Sequence, residues 1–118
     1  SARVLCEPFL LRQAIGNLLE NALDFTPPGG LLVVDLEQAG GRVALSLYNQ
    51  GAAIPAYALG RLSERFYSLP RPGTGRKSTG LGLNFVEEVM QLHGGSLEVN
   101  NVQDGVRVRL WLPAERLS

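Results

Sequence analysis

The chain has 118 residues, 45% of them apolar, and eleven basic residues balance eleven acidic ones. That length holds one core and no second lobe. The even charge argues against a nucleic-acid or anionic-membrane surface, which needs a basic excess. The single cysteine, Cys6, excludes an internal disulfide and a cysteine-based zinc site; it reads as a small hydrophobe at a strand end. No apolar run nears the roughly 20 residues of a membrane span. No signal peptide opens the chain either, so this piece is expected to be cytosolic.

From Phe9 to Phe25, apolar Leu11, Ile15, Leu18, Ala22 and Phe25 recur every three or four positions, which predicts a helix with one buried stripe. Pro27-Pro28-Gly29-Gly30 ends it. Leu32, Val34 and Leu36 alternate with Val33, Asp35 and Glu37, the pattern of a strand. Gly40-Gly41 turns into a second strand in which Val43, Leu45 and Leu47 share a face. A loop with Gly51 and Pro55 follows, then a short helix around Ala56 to Glu64. Leu69 to Thr79 has two prolines, two glycines and three cations but no periodicity, and loops of that length are usually functional or mobile. A helix is expected from about Gly80 to His93, stopped by Gly94-Gly95. Two closing strands, Ser96 to Val102 and Val106 to Leu112, pair around Asp104-Gly105. No repeats and no low-complexity linker occur. Helices with one apolar stripe each, beside alternating strands, predict an α+β fold: one sheet with its helices on one face.

The polar side of the first helix is the first chemical signal. Asn17 and Asn21 are one turn apart, so their amides project together, away from the apolar stripe, with Gln13 and Asp24 nearby. A carboxamide oxygen is a neutral hard ligand that suits Mg²⁺, an ion that keeps several waters and bridges to nucleotide phosphates. Viewed alone, this is also the ordinary solvated face of an amphipathic helix. Gly80-Leu81-Gly82 alone is likewise an ordinary loop-to-helix junction.

Order and spacing join these signals. Arg12 to Ala22 resembles the N box of the ATP-binding domain of sensor histidine kinases, in the superfamily shared with gyrase, Hsp90 and MutL. Asn49 to Pro55 resembles the G1 box, Glu64 to Tyr67 the F box and Thr79 to Leu83 the G2 box. His93-Gly94-Gly95 and the strand ending Leu112-Pro113 also fit. The likeness runs from about Val4 to Pro113, and the wording of Phe66 to Arg71 and Lys77-Ser78 is most similar to the CreC-type kinases.

The resemblance implies a two-layer α/β sandwich of the Bergerat type, with a mixed, mostly antiparallel sheet, forming a single domain over residues 1–118. It implies ATP and Mg²⁺ as cofactors. Asn21 would bind the metal, with Asn17 supporting the metal or the phosphates. Phe25 would lie near the adenine, Asn49 would read its amino group, and Gly51 would let the backbone approach the ring beside Ile54. Phe66 would anchor a flexible lid over 69–79, whose Arg71 and Lys77, with Arg76, would clamp phosphate. Backbone N–H groups around Thr79, Gly80, Leu81, Gly82 and Leu83 would meet the phosphates as helix N-termini do. The implied partners are the protein's own dimerisation and phospho-acceptor domain and a response regulator. Nucleic acid and direct membrane contact are not implied, and the setting is the cytoplasmic part of an inner-membrane sensor.

Departures from the family pattern bear on affinity. Asn49 replaces the usual Asp, which keeps an acceptor oxygen but loses its charge. Ala53 replaces a glycine, Asp24 a frequent Lys, Ser68 a frequent Arg and Ser78 a lid glycine. Hydrolytic relatives carry a glutamate one turn before the metal-binding Asn; here that position is Asn17, which accepts no proton at neutral pH. Glu20 lies about 100° around the helix from Asn21, a poor substitute. The domain is therefore expected to hold ATP without hydrolysing it efficiently, and the phosphoryl acceptor must come from elsewhere. His93, in its turn after a helix, reads as structural. An anti-sigma-type serine kinase and a degenerate, non-catalytic interaction module are the alternative readings.

Overall fold

The computed structural model describes residues 3–59 and 82–115. The second half of the expected short helix, the F box, the expected lid over 69–79 and residues Thr79 to Leu81 lie outside them.

The first helix, α1 (Pro8–Phe25), starts where its sequence supplies a cap. Glu7 accepts a hydrogen bond from the Leu10 N–H at 2.7 Å, and Pro8, which has no N–H to satisfy, occupies the first turn. Thr26 closes the helix through its N–H to the Leu23 carbonyl, and Pro27 prevents continuation. The strands β1 (Leu32–Ala39) and β2 (Arg42–Gln50) pair with each other through the two-residue Gly40-Gly41 turn. Next come α2 (Ala56–Leu59), α3 (Gly82–Leu92), β3 (Ser96–Val102) and β4 (Gly105–Pro113). The four strands form one antiparallel sheet in the order β1-β2-β4-β3. No described helix is long and apolar enough to cross a membrane.

At the end of α3, Gly94 (φ +74°) takes the left-handed conformation that a side chain disfavours. Its N–H donates to the Gln91 carbonyl and that of Gly95 to the Met90 carbonyl, the paired bonds of a glycine-terminated helix. His93 sits on this turn. Its Nδ1 lies 2.7 Å from the Val89 carbonyl, and its Nε2 accepts from the Glu7 N–H at 2.9 Å. A carbonyl only accepts and an amide N–H only donates, so the ring is the neutral Nδ1–H tautomer. One imidazole thus joins the end of α3 to the start of α1.

The core lies between helices and sheet. Ala14, Leu18 and Ala22 of α1 meet Val86, Val89 and Met90 of α3, above Leu47, Leu110 and Leu112. Each fully buried large side chain here contributes about 1.5–3 kcal/mol, and the small Ala14 and Ala22 let the two helices approach. The helix pair covers β2, β4 and β3. The edge strand β1 is less sheltered: Leu32 packs on the core, but Val34 and Leu36 are 51% and 75% exposed despite facing the helix side. Alternation thus marked the strand correctly without marking burial, because the two helices do not reach its far half.

The opposite face carries a polar network. The Arg109 guanidinium spans from Glu37 on β1 (2.9 Å) to Glu98 on β3 (3.0 Å). Glu98 also accepts from Trp111 Nε1 at 2.8 Å and Asn100 Nδ2 at 2.6 Å, and the Arg42 guanidinium stacks 4.4 Å over the Trp111 ring. The hydrogen bond from Arg109 holds the Glu37 carboxyl below its ordinary value, and the bond from Trp111, then Arg109, does the same for Glu98.

Candidate functional site

Helical spacing places Asn17 and Asn21 on neighbouring turns of α1, both half-buried at the edge of its apolar stripe. Neither amide makes a hydrogen bond among the described residues. Phe25 ends the same helix, half-buried and with its own interaction, and Asp24, exposed beside it, is likewise already engaged.

Strand β2 runs one residue pair further than its apolar run and so carries Asn49 under the helix layer. Asn49 faces the helix side of the sheet, with Leu32 and Val106 as its neighbours in register. It is 6% exposed, and its carboxamide has no hydrogen-bond partner among the described residues. Leaving such a group unsatisfied costs about 1–3 kcal/mol, so natural structures rarely keep one without a reason. The charge that an Asp would bring is absent, but the amide offers both an acceptor and two donors.

The chain then turns at Gly51 (φ +156°), whose N–H donates to the Asp104 carbonyl at 2.9 Å. A Cβ at Gly51 would stand 2.8 Å from the Phe25 carbonyl oxygen, so only glycine lets this loop lie against the end of α1. Two side chains fix the loop. Gln50 accepts from the Leu31 N–H at 3.0 Å, and its own N–H donates to the Leu31 carbonyl at 2.8 Å. Asn101 holds both polar groups of Ile54, accepting from its N–H and donating to its carbonyl, each at 2.8 Å. The Ile54 backbone is therefore taken, and only its side chain is open to a ligand. Asn101 was not singled out from the sequence. Its signal was there: it shares a face with Leu97 and Val99, where the strand's alternation calls for an apolar residue.

The structure thus brings Phe25, Asn49 and Gly51 together, with Asn21 and Asn17 one and two turns back along α1 and Ile54 on the loop that follows Gly51. Leu83 packs partly buried against the core, which leaves its backbone rather than its side chain for any ligand. Phe66, Arg71, Lys77, Thr79, Gly80 and Leu81 lie outside the described residues, and Gly82 opens α3. Among the described residues no three His, Cys, Asp or Glu side chains cluster as a metal site. A cation here would rest on carboxamide oxygens, water and whatever anion the site holds, which is how Mg²⁺ is commonly bound with phosphates. An open recess of about 370 Å³ runs along α1, lined by Phe9, Arg12, Gln13, Gly16, Glu20 and the site residue Asn17. Glu20 thus shares that recess with Asn17, and it lies about 100° around the helix from Asn21.

Residues 6–116 match the family model described as "Histidine kinase-, DNA gyrase B-, and HSP90-like ATPase". Over 102 residues the chain is 52% identical to the sensor protein CreC of Escherichia coli K12, an alignment covering 86% of this chain and 21% of CreC. The chain therefore spans about a fifth of that relative's length. The mycobacterial sensor histidine kinase MprB superposes with a TM-score of 0.80 at 33% identity, covering 97% of this chain and 76% of the MprB chain. Full-length ShkA, in complex with AMPPNP, superposes at 0.78 and 26% identity, covering all of this chain (100%) and 24% of ShkA.

Proposed function

Since the chain belongs to the histidine kinase-, DNA gyrase B- and HSP90-like ATPase family, we propose that its site holds ATP with Mg²⁺ as the catalytic half of a two-component sensor kinase. The γ-phosphoryl group would pass to a histidine on a separate dimerisation domain of the parent, and from there to a response regulator. The single observation that carries this reading is the buried Asn49 amide beside Gly51, which has no partner among the described residues. Asn49 would bond the adenine edge, accepting from the exocyclic amino group, while Gly51 gives the ring room. Asn21, supported by Asn17, would present its carboxamide oxygen to the metal, which when bound neutralises the phosphate charge. The chain's own part is positioning: phosphoryl transfer asks for alignment and charge stabilisation, with little covalent chemistry from the protein.

No carboxylate stands one turn before Asn21, and Glu20 lies about 100° around the helix from it. Water activation is therefore unsupported, and slow hydrolysis is expected from the chain alone. In the parent, the domain would work on the cytoplasmic side of an inner-membrane sensor. Calorimetric titration with ADP and AMPPNP, with and without Mg²⁺, tests the reading. Magnesium-dependent binding that Asn49→Leu removes is expected, and absence of binding at millimolar nucleotide would sink it.

A further inference from the structure

The outer side of α1 has a pattern that the core does not use and that only Asn17, at the margin of its recess, shares with the proposed nucleotide site. Phe9, Gly16 and Leu23 are seven residues apart, so they form one stripe that drifts only about 20° per interval. That stripe lies opposite the buried Ala14, Leu18 and Ala22. Phe9 and Leu23 are each 62% exposed. Between them, a Cβ on Gly16 would meet nothing within 4 Å. Glycine inside an exposed helix is unfavourable relative to alanine, and nothing among the described residues needs the space it leaves. Arg12 and Glu20 stand four residues before and after Gly16, both exposed, and neither forms an ion pair among the described residues.

Reversed end for end about Gly16, the stripe complements itself. Apolar Phe9 exchanges with apolar Leu23, and basic Arg12 with acidic Glu20. We propose that this face binds a second copy of the chain, α1 against α1 in antiparallel order around a two-fold axis at Gly16. Phe9 of each copy then packs on Leu23 of the other. Arg12 stands level with Glu20 of the other across the seam, and the pair occurs twice because a two-fold interface is isologous. The two bare Gly16 positions let the helix backbones approach, and charge complementarity selects this antiparallel register over the parallel one, which would set like charges side by side. A single helix pair is a small interface, so the dimer is weak and concentration-dependent. It leaves Asn49 and Gly51 uncovered, borders the site only at Asn17, and does not require that the site bind nucleotide.

Sedimentation velocity on this chain from micromolar to millimolar concentration tests it. The native chain should move from monomer toward dimer mass. Gly16→Leu fills the notch with a better helix former, so it should stay monomeric while its unfolding temperature holds or rises. Arg12→Glu and Glu20→Arg should each weaken association about tenfold, since each creates two like-charge pairs. The doubly exchanged chain should recover most of the native affinity. A native chain that stays monomeric at millimolar concentration overturns the proposal, as does a dimer that survives Gly16→Leu. So does a dimer lost on Leu36→Glu instead, which would place the interface on β1, and so does a double exchange without recovery.

Discussion

The two faces of the sheet treat polar groups in opposite ways. On the open face, Arg109, Glu37, Glu98, Trp111 and Asn100 bond one another, so each strong donor or acceptor has an answer within the chain. Under the helices, the amides of Asn17, Asn21 and Asn49 have no such answer among the described residues. The difference is sharpest between two asparagines: Asn101 uses both ends of its amide to hold Ile54, while the more deeply buried Asn49 uses neither. Polar residues that stabilise the fold are satisfied by it. Those left over are the ones whose missing bonds the proposed nucleotide would supply.

Four measurements would break or sharpen that contrast. The largest effect is expected at Asn49→Leu. Nucleotide affinity should fall about a hundredfold, through loss of a buried polar contact, while unfolding by denaturant shows equal or higher stability. A stability loss instead would mean that Asn49 serves the fold. Gly51→Ala comes next: the backbone angle and the 2.8 Å approach to the Phe25 carbonyl should cost about 1–3 kcal/mol, read in the same unfolding curves. Asn101→Ala should cost about 1–2 kcal/mol for its two bonds and weaken nucleotide binding only indirectly, by loosening the loop. Restoration of its affinity by added salt or cosolvent would point away from the loop.

The smallest effect is expected from the open face. The carboxyls of Glu37 and Glu98 are held low by their partners, so the folded state takes up their protons later than the unfolded chain does. Their stabilisation is present above the ordinary glutamate range and fades as pH falls through the depressed values. Arg109→Met should therefore destabilise the domain at neutral pH and lose that effect in acid. A deficit constant down to strong acid would show that packing of the arginine stem, rather than charge, is what matters.

Much of this was legible beforehand because it rests on local rules. The α1 stripe, the Gly40-Gly41 hairpin and the Gly94-Gly95 stop each follow from residues within a few positions of one another. So did the Asn17–Asn21 pair, which helical spacing alone brings together. The exposure of Val34 and Leu36 was not legible, since it depends on where α1 and α3 lie across the sheet. Asn101 was missed for the same reason: its partner, Ile54, is 47 residues away in sequence. That the Asn49 amide lacks a partner among the described residues is also a tertiary fact, visible only once β2 is seen to extend beneath the helix layer.

The imidazole of His93 carries one last consequence. It belongs to the only histidine in the chain, and the lone pair on Nε2 that would attack phosphorus is already spent on the Glu7 N–H. The other nitrogen carries its proton toward Val89 and has no lone pair to offer. A nucleophile tied down in this way makes self-modification at this ring a matter of first dismantling the joint between two helices. In the proposed reading, donor and acceptor then sit on separate bodies, and transfer is an encounter that whatever positions those bodies can permit or forbid.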